Sequence, residues 1–312
     1  MKRVLAFAPA GIGNFAAGFD VLGAAIAPLD GPPLGDRVEV ALARKAAFVA
    51  EGPFAHRLPP RPGDNLCLKA CAAFQRAWGP LPPLAIRLHK ELPVGSGLGS
   101  SSASVVATLA ALDALLGAGL SEAALLRAGG EAEAQGCGDY HLDNVAPALL
   151  GGLRLIDPRG RALALPFPDG LLLAVASPEL ELNTRDARRA LPDQVPRALA
   201  VAHAQNLAAL VLALCTFDAG LLGASLRDLL AEPHRAPLVP GFREVQAAAM
   251  GQGALGCTLS GAGPAVFAVA GRDRVAQVAA AMGAAWEEAG VRCQVRMCRV
   301  EGQGARILES DS

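Results

Sequence analysis

The chain has 312 residues, of which 52% are hydrophobic, and a formal net charge of −1. This length and apolar content exclude a disordered chain and allow two modest domains or one large one. The balanced charge leaves no polycationic face for nucleic acid and no basic tail for an anionic membrane, so we expect neither partner.

The cysteines and the apolar segments indicate where the protein works. Seven cysteines are scattered along the chain without a Cys-x-x-Cys pair, and Cys67 and Cys71, four residues apart, have no histidine partners at ligand spacing. This pattern disfavours a zinc site and is typical of free thiols in a reducing compartment. The longest uncharged apolar stretch, 207–217, is too short to span a bilayer. We therefore expect a cytoplasmic protein.

The amino-terminal half alternates short strands and helices. Residues 4–8, 21–26, 37–42 and 84–88 have the β-branched or alternating pattern of strands. Helical spacing predicts four helices in this half. The first covers 65–78 with Asp64 as its N-cap, the second runs from the end of a Gly/Ser loop to 116, and the others cover 122–133 and 143–150. Gly151 and Gly152 end the last of these helices.

The carboxy-terminal half again mixes both kinds of element. We predict strands at 153–156, 171–176, 255–259, 265–270 and 291–299, and helices at 195–215, 221–230 and 275–288. The class is therefore α+β or α/β, and the short strands with unequal connections argue against a barrel or a doubly wound sheet. We divide the chain into domains at residues 1–165 and 166–312, just before Pro166 and Pro168.

The most informative segment is a glycine- and serine-rich loop between a strand and a helix. It consists of Pro93, Val94, Gly95, Ser96, Gly97, Leu98, Gly99, Ser100, Ser101, Ser102 and Ala103. Three glycines at alternate positions allow close backbone approach, and the helix N-terminus directs N–H groups at an anion. The loop has neither the Gly-Lys-Ser/Thr of a Walker motif nor a Rossmann spacing. It favours phosphate binding about as strongly as a simple capped turn.

Two further glycine-rich segments lie between predicted strands. The first runs from Pro9 to Asp20 and contains Asn14, and the second runs from Leu259 to Ala265. Either segment alone is more typical of a hairpin turn or a bulge.

Together the three segments, in this order, resemble the GHMP kinases. The pattern Pro93-x-x-x-Gly97-Leu98-Gly99-Ser100-Ser101 is specific to that family. The first segment, with Asn14 and Gly18-Phe19-Asp20, is similar to the homoserine kinase version, as is His141-Leu142-Asp143-Asn144-Val145-Ala146-Pro147-Ala148. The resemblance covers most of the chain. It implies an α+β, two-domain fold with a ribosomal protein S5 domain 2-like first domain, a ferredoxin-like second domain and the active site between them.

The resemblance also implies ATP and Mg²⁺ as cofactors and assigns the residues that would bind them. The Gly/Ser loop would hold the phosphates, Asn65 would lie near the adenine, and Ser101 and Glu133 would hold the metal. Glu131 is the neighbour with which Glu133 is most easily confused. The role of Lys90, just before the loop, stays open between contact with ATP and the end of a strand.

The acceptor implied by the resemblance is L-homoserine, phosphorylated on its hydroxyl in threonine biosynthesis. Asp20, joined by Asp143, would take the ammonium group. Arg188 and Arg235 would take the carboxylate, with a hydroxyl added by Thr184. Asn144 and Asn14 would orient the substrate hydroxyl without a strong base, and Arg188 is a further catalytic candidate. His141 would order the loop.

Departures from the family pattern keep alternatives open. Gly11, Ile12 and Ala16-Ala17 stand where relatives often have other residues, in the loop that supplies the acceptor pocket. A kinase for another small alcohol, such as shikimate or an isoprenoid precursor, therefore stays possible, as does a nucleotide-binding regulator without turnover. Relatives are often dimers, and we expect a homodimer.

Overall fold

The computed structural model describes residues 2–138 and 140–311. Its strands are β1 (Arg3–Gly13), β2 (Leu22–Pro28), β3 (Gly35–Leu42), β4 (Ala47–Glu51), β5 (Leu84–His89), β6 (Leu153–Ile156), β7 (Ala162–Leu165), β8 (Leu171–Pro178), β9 (Gly256–Leu259), β10 (Val266–Gly271), β11 (Cys293–Val300) and β12 (Arg306–Asp311). Its helices are α1 (Leu66–Trp78), α2 (Ser100–Leu116), α3 (Glu122–Cys137), α4 (Val145–Leu150), α5 (Thr184–Arg189), α6 (Arg197–Thr216), α7 (Ala219–Ser225), α8 (Glu232–Arg235), α9 (Phe242–Gly251) and α10 (Val275–Glu288).

A single sheet of twelve strands runs through the described residues in the order β4-β5-β3-β1-β2-β11-β8-β10-β9, with β6, β7 and β12 attached beside this path. The long strand β1 pairs with β3 along its first part and with β2 along its last part. The pairing of β2 with β11 joins the two halves of the chain, and β12 returns to pair with β1. Strands and helices thus mix in both halves, and the predicted α+β class is confirmed.

Helix α2 lies at the centre of the amino-terminal half. It packs against β1 and β3 and is covered by α1 and α3. Apolar side chains such as Val105, Val106 and Leu109 are buried on all sides of it. A helix that is apolar all round is fixed within a core rather than on a surface. The N-terminus of α2, which begins at the Gly/Ser loop, is therefore held in a defined place.

The carboxy-terminal half has a core of its own between the sheet and two helices. Phe242 from α9 and Val278, Met282 and Trp286 from α10 are all buried there. Helix α10 packs on α9 and on strands β8 and β11. This second core holds the loop at 260–264 against the first half of the molecule, where the cleft described below is formed.

Three local predictions are wrong in ways that affect the site. The N-cap of α1 is Asn65 and not Asp64, because the Asn65 side chain accepts the Cys67 N–H. Helix α4 begins at Val145 and not at 143, so Asp143 and Asn144 lie before the helix and not within it. The helix predicted to reach 230 ends at Ser225, where the following backbone leaves helical conformation.

Helix α6 is longer than the apolar stretch that the sequence indicated. It spans 20 residues with a mean hydropathy of 1.8, so its length and composition alone would suffice to cross a membrane. The helix agrees closely with the one predicted at 195–215, and it exceeds the apolar stretch because His203, Gln205 and Asn206 lie within it. Buried residues of α6, among them Leu210 and Leu214, pack into the main core of the protein.

Candidate active site

A cleft with a cavity volume of about 840 Å³ lies where the two halves of the chain meet. The Gly/Ser loop forms one side, and the 14–20 turn, the 141–144 segment and α5 contribute to the others. It brings together nearly all of the site residues that the sequence indicated, although they come from positions 14 to 235.

The Gly/Ser loop has the backbone that its glycines allow. Gly95, Gly97 and Gly99 have φ angles of 69°, 80° and 63°, in the left-handed region that favours glycine. Gly99 is the N-cap of α2 and has no side-chain oxygen to satisfy the first N–H groups of the helix. These groups have no partner within the helix and carry its positive dipole end. The loop therefore presents a binding site for an anion.

The loop is held in place by the carboxy-terminal half. The Ser260 hydroxyl donates to the Gly97 carbonyl at 2.6 Å, and the Ala265 N–H donates to the Ser96 carbonyl at 3.0 Å. A Cβ on Gly97 would lie only 2.6 Å from the Ser260 carbonyl oxygen. The third glycine-rich segment thus supports the loop, so Gly97 serves close packing as well as backbone conformation.

Glu133 is the carboxylate next to the first turn of α2. It accepts hydrogen bonds from the Ser101 and Ser102 hydroxyls, each at 3.1 Å. Burial raises the pKa of Glu133, and these two hydrogen bonds oppose that shift. Glu131, in contrast, forms an exposed ion pair with Arg76. The structure therefore brings Glu133, and not Glu131, to the anion-binding loop.

The 14–20 turn contains strained residues and ties three segments together. Asn14, Ala16 and Asp20 all have positive φ angles. The Asn14 amide group donates to the Gly261 carbonyl at 3.2 Å, and its side-chain oxygen accepts the Asp20 N–H at 3.1 Å. Each end of the Asn14 side chain thus makes one hydrogen bond within the protein, and these bonds hold the turn in place.

Asp143 and Asn144 both reach the cleft from the segment before α4. The Asp143 carboxylate accepts the Asn14 N–H at 3.1 Å and an Asn144 amide hydrogen at 3.2 Å. A Cβ on Gly13 would lie 2.6 Å from the Asp143 carboxylate, so only glycine fits beneath it. Burial, followed by the nearby Asp20, raises the pKa of Asp143 to about 7.

Among the residues that the structure describes, the side-chain oxygen of Asn144 finds no hydrogen-bond partner, although it is a buried acceptor. It lies close to Gly99, since a Cβ there would be 3.2 Å away. An unpaired buried acceptor costs free energy unless a ligand supplies a donor. Its position beside the N-terminus of α2 therefore offers a hydrogen-bond acceptor to a ligand next to the anion-binding loop.

Asp20 and Arg188 form an ion pair at the other end of the cleft. An Arg188 N–H donates to the Asp20 carboxylate at 2.9 Å although 168 residues separate the two in the chain. His141 contacts both: its ring lies 3.5 Å from the Asp20 carboxylate and adjoins the Arg188 guanidinium. Each partner keeps about a quarter of its side chain exposed to the cleft. A carboxylate and a guanidinium thus face the cavity together.

Arg235 and Phe19 complete this end of the site. Arg235 is 4% exposed and donates to the carbonyls of Ala187 and Gly261. Burial, followed by the nearby Arg188, lowers the pKa of Arg235. Phe19 lies under both guanidiniums, with its ring centre 5.2 Å from Arg188 and 5.4 Å from Arg235. Nothing in the sequence indicated this role for Phe19, because both arginines that stack on its ring are far from it in the chain.

The remaining candidates lie toward the outer part of the cleft or beneath it. Asn65 is buried and lines the cavity, while Thr184 is exposed at its edge as the first residue of α5. Lys90 is 2% exposed at the base of the cleft and forms an ion pair with Asp36. Within the described residues, no group of three His, Cys, Asp or Glu side chains could hold a metal ion by itself. A metal here would depend on ligand oxygens as well as on the protein.

The chain matches two family models. The GHMP kinases N terminal domain matches residues 65–152, and the GHMP kinases C terminal domain matches residues 210–288. The first match includes the Gly/Ser loop, Glu133 and the Asp143-Asn144 segment.

Several solved structures are similar over nearly the whole chain. Homoserine kinase from Cytophaga hutchinsonii is 35% identical, with a TM-score of 0.90 over 98% of this chain and 97% of that one. A putative homoserine kinase from Listeria monocytogenes is 26% identical, with a TM-score of 0.72 over 100% of both chains. The L. major mevalonate kinase in complex with R-mevalonate is 18% identical, with a TM-score of 0.69 over 96% of both chains, which shows a shared fold.

Proposed function

The chain belongs to the GHMP kinase family, whose members are ATP-dependent small-molecule kinases, and we propose that it transfers the γ-phosphate of ATP to the hydroxyl of L-homoserine. The observation that carries the choice of acceptor is the pairing of carboxylates and guanidiniums at one end of the cleft. The similarity to homoserine kinases at 35% and 26% identity supports the same choice.

ATP binding at one end of the cleft is proposed from the geometry of the Gly/Ser loop. Backbone N–H groups from 95–99 and the first turn of α2 would bind the phosphates, and Asn65 would lie near the base. The loop has no Walker lysine, and the helix N-terminus and the backbone N–H groups of the loop would supply positive potential at the phosphates. Phosphoryl transfer depends mainly on such alignment and charge stabilisation.

The donor set also fits Mg²⁺. A buried carboxylate, Glu133, with the Ser101 hydroxyl beside it offers the oxygen ligands that Mg²⁺ prefers, and phosphates and water would complete the coordination. When bound, Mg²⁺ offsets negative charge on the phosphate oxygens. Burial of the Glu133 carboxylate is costly, and the raised pKa of its carboxyl is the sign of that cost.

The acceptor end suits a zwitterion of small size. Asp143 makes no ion pair within the described residues and would accept the ammonium group, together with Asp20. Arg188 and Arg235, held over Phe19, would bind the carboxylate. An acceptor that lacks an amine would bring no cation to the Asp143 carboxylate, which disfavours mevalonate and shikimate.

The substrate hydroxyl would then lie between the two ends. The unpaired Asn144 oxygen would accept its hydrogen bond and orient its lone pairs toward the phosphate. Asn14 holds the turn that carries Asp20, and the hydroxyl proton would leave to a phosphate oxygen. Arg188, next to this position, would add positive charge as negative charge develops in the transition state.

The test is ADP release with Mg-ATP against L-homoserine, D-homoserine, L-serine, shikimate and mevalonate. We expect turnover selective for L-homoserine. Arg188→Lys should raise the KM for L-homoserine by about tenfold or more, because lysine cannot replace a bidentate guanidinium. Arg189→Lys is the matched control, since Arg189 is exposed and directed to solvent.

Two outcomes would contradict the proposal in different ways. Turnover with another alcohol would keep the kinase and remove the acceptor assignment. Binding of Mg-ATP without turnover of any alcohol would instead favour a nucleotide-binding regulator. We further propose that the protein is a cytoplasmic homodimer in threonine biosynthesis, which size measurement in solution and complementation of a threonine auxotroph would test.

A further inference from the structure

A buried ion pair lies directly beneath the Gly/Ser loop. Asp36, in β3, is fully buried and Lys90 is 2% exposed. The Lys90 ammonium donates to the Asp36 carboxylate, to the Ser100 carbonyl at 2.7 Å and to the Ser104 hydroxyl oxygen at 3.0 Å. All three of its hydrogens are thus used within the protein. Lys90 therefore lies at the base of the cavity with its ammonium group engaged in a network inside the protein.

The Asp36 carboxylate holds both ends of the loop at once. One of its oxygens accepts the N–H groups of Glu91 and Leu92, each at 2.9 Å, immediately before the loop begins. Its other oxygen accepts the Ser104 hydroxyl at 2.6 Å, in the first turns of α2 after the loop ends. One side chain therefore ties the entry and the exit of the 93–99 loop to the same strand.

Stability by itself does not explain such a pair. Replacement of a buried ion pair by apolar residues of similar volume is often neutral or stabilising, because removing two charges from water is costly. A fully hydrogen-bonded polar network is instead suited to fixing one geometry. The Gly/Ser loop above the pair needs such a network to fix its geometry, because its three glycines with positive φ angles give it little rigidity of its own.

We propose that Asp36 and Lys90 are positioning residues that set the separation and orientation of the two ends of the phosphate loop, and so align its N–H groups for nucleotide. The inference rests on the proposed binding of ATP at this loop. It assigns the pair no contact with substrate, so its loss should weaken nucleotide binding while leaving the acceptor site intact.

The test uses Ser104→Ala, since removal of Lys90 or Asp36 would leave a buried charge alone and endanger folding. The variant deletes one hydroxyl from the network and places a good helix former in α2. We expect the Kd for Mg-ATP to rise about tenfold, as for loss of one hydrogen bond to a charged group. The KM for L-homoserine should stay within about twofold of wild type.

The matched control is Thr108→Val, which removes a buried hydroxyl one turn further along α2. Thr108 donates only to the Ser104 carbonyl and does not touch the pair. We expect its Kd for Mg-ATP to equal that of wild type when titrated by calorimetry, with thermal unfolding followed in parallel for both variants. If the loss of a buried hydroxyl acted only through packing of the core, the Kd for Mg-ATP would change in both variants.

Equal Mg-ATP affinity in wild type and Ser104→Ala would overturn the positioning role while leaving the proposed function in place. An equal rise in the Kd for Mg-ATP and in the KM for L-homoserine would overturn it as well. So would an equal loss of Mg-ATP affinity in the Thr108→Val control. Failure of the wild-type protein to bind Mg-ATP at all would instead overturn the proposed function, and the positioning role with it.

Discussion

Asp143 gives the most direct test of the electrostatics of the cleft. Burial and Asp20 raise the pKa of its carboxyl from 3.8 to about 7. Between these two values the native state binds a proton that the unfolded state has released. The free energy of unfolding contributed by this group therefore falls as the pH rises from about 4 to 7. Above pH 7 the full cost of the buried charge is present.

The magnitude follows from the size of the shift. Each pKa unit corresponds to about 1.4 kcal/mol, so a shift of about three units amounts to about 4 kcal/mol. Asp143→Asn carries no titrating group. The difference in unfolding free energy, variant minus wild type, should therefore increase by about 1.4 kcal/mol per pH unit between pH 5 and 7 and level off above that.

The assay is urea denaturation of both proteins without ligands at half-unit steps from pH 5 to pH 8. The asparagine amide hydrogens of the variant need a partner, which changes its unfolding free energy by an amount that does not depend on pH. The slope is therefore the quantity to compare. Asp193→Asn, at an exposed position, should track wild type throughout. A constant difference for Asp143→Asn across this range would refute the assignment of a buried, proton-binding carboxyl in the empty cleft.

Three further predictions concern activity. The KM for L-homoserine should rise as the pH falls below 7, because protonation of Asp143 removes the negative charge that attracts the substrate ammonium group. The KM for ATP should stay constant over the same range. Glu133→Gln should raise the Mg²⁺ concentration for half-maximal rate by at least about tenfold, while Glu131→Gln should not; equal effects would contradict the metal assignment. Phe19→Leu should raise the KM for L-homoserine by about threefold to thirtyfold through loss of its cation–π contacts, and an unchanged KM would contradict a role in holding the two guanidiniums.

The order of the three glycine-rich segments indicated the family, and the two family models confirm it. The α+β class and the two-domain fold also followed from that resemblance. The elements least visible in the sequence were the short or exposed ones, β4, β7, β12, α5, α8 and α9. Their apolar patterns are too brief to separate from loops, and tertiary pairing rather than local preference keeps them folded.

Within the site, the sequence could indicate what is local. Glycines at 95, 97 and 99 require a particular backbone, and the helix that follows them supplies an anion site, so this function is encoded within eleven residues. The placement of Glu133 over Glu131 followed only from the resemblance, and the packing of α3 on α2 gives its physical basis.

Other features depend on contacts between residues far apart in the chain, and the tertiary structure alone decided them. The ion pair of Asp20 with Arg188 joins residues 168 positions apart. The commitment of the Asn14 side chain within the protein, the stacking of two arginines on Phe19, and the burial of Lys90 against Asp36 are equally non-local. Charge and hydrogen-bond partners are set by distance in space, whereas the sequence determines only the local backbone and the residue types available. It therefore determined the backbone of the Gly/Ser loop, and the folded structure decided the electrostatics of the cleft.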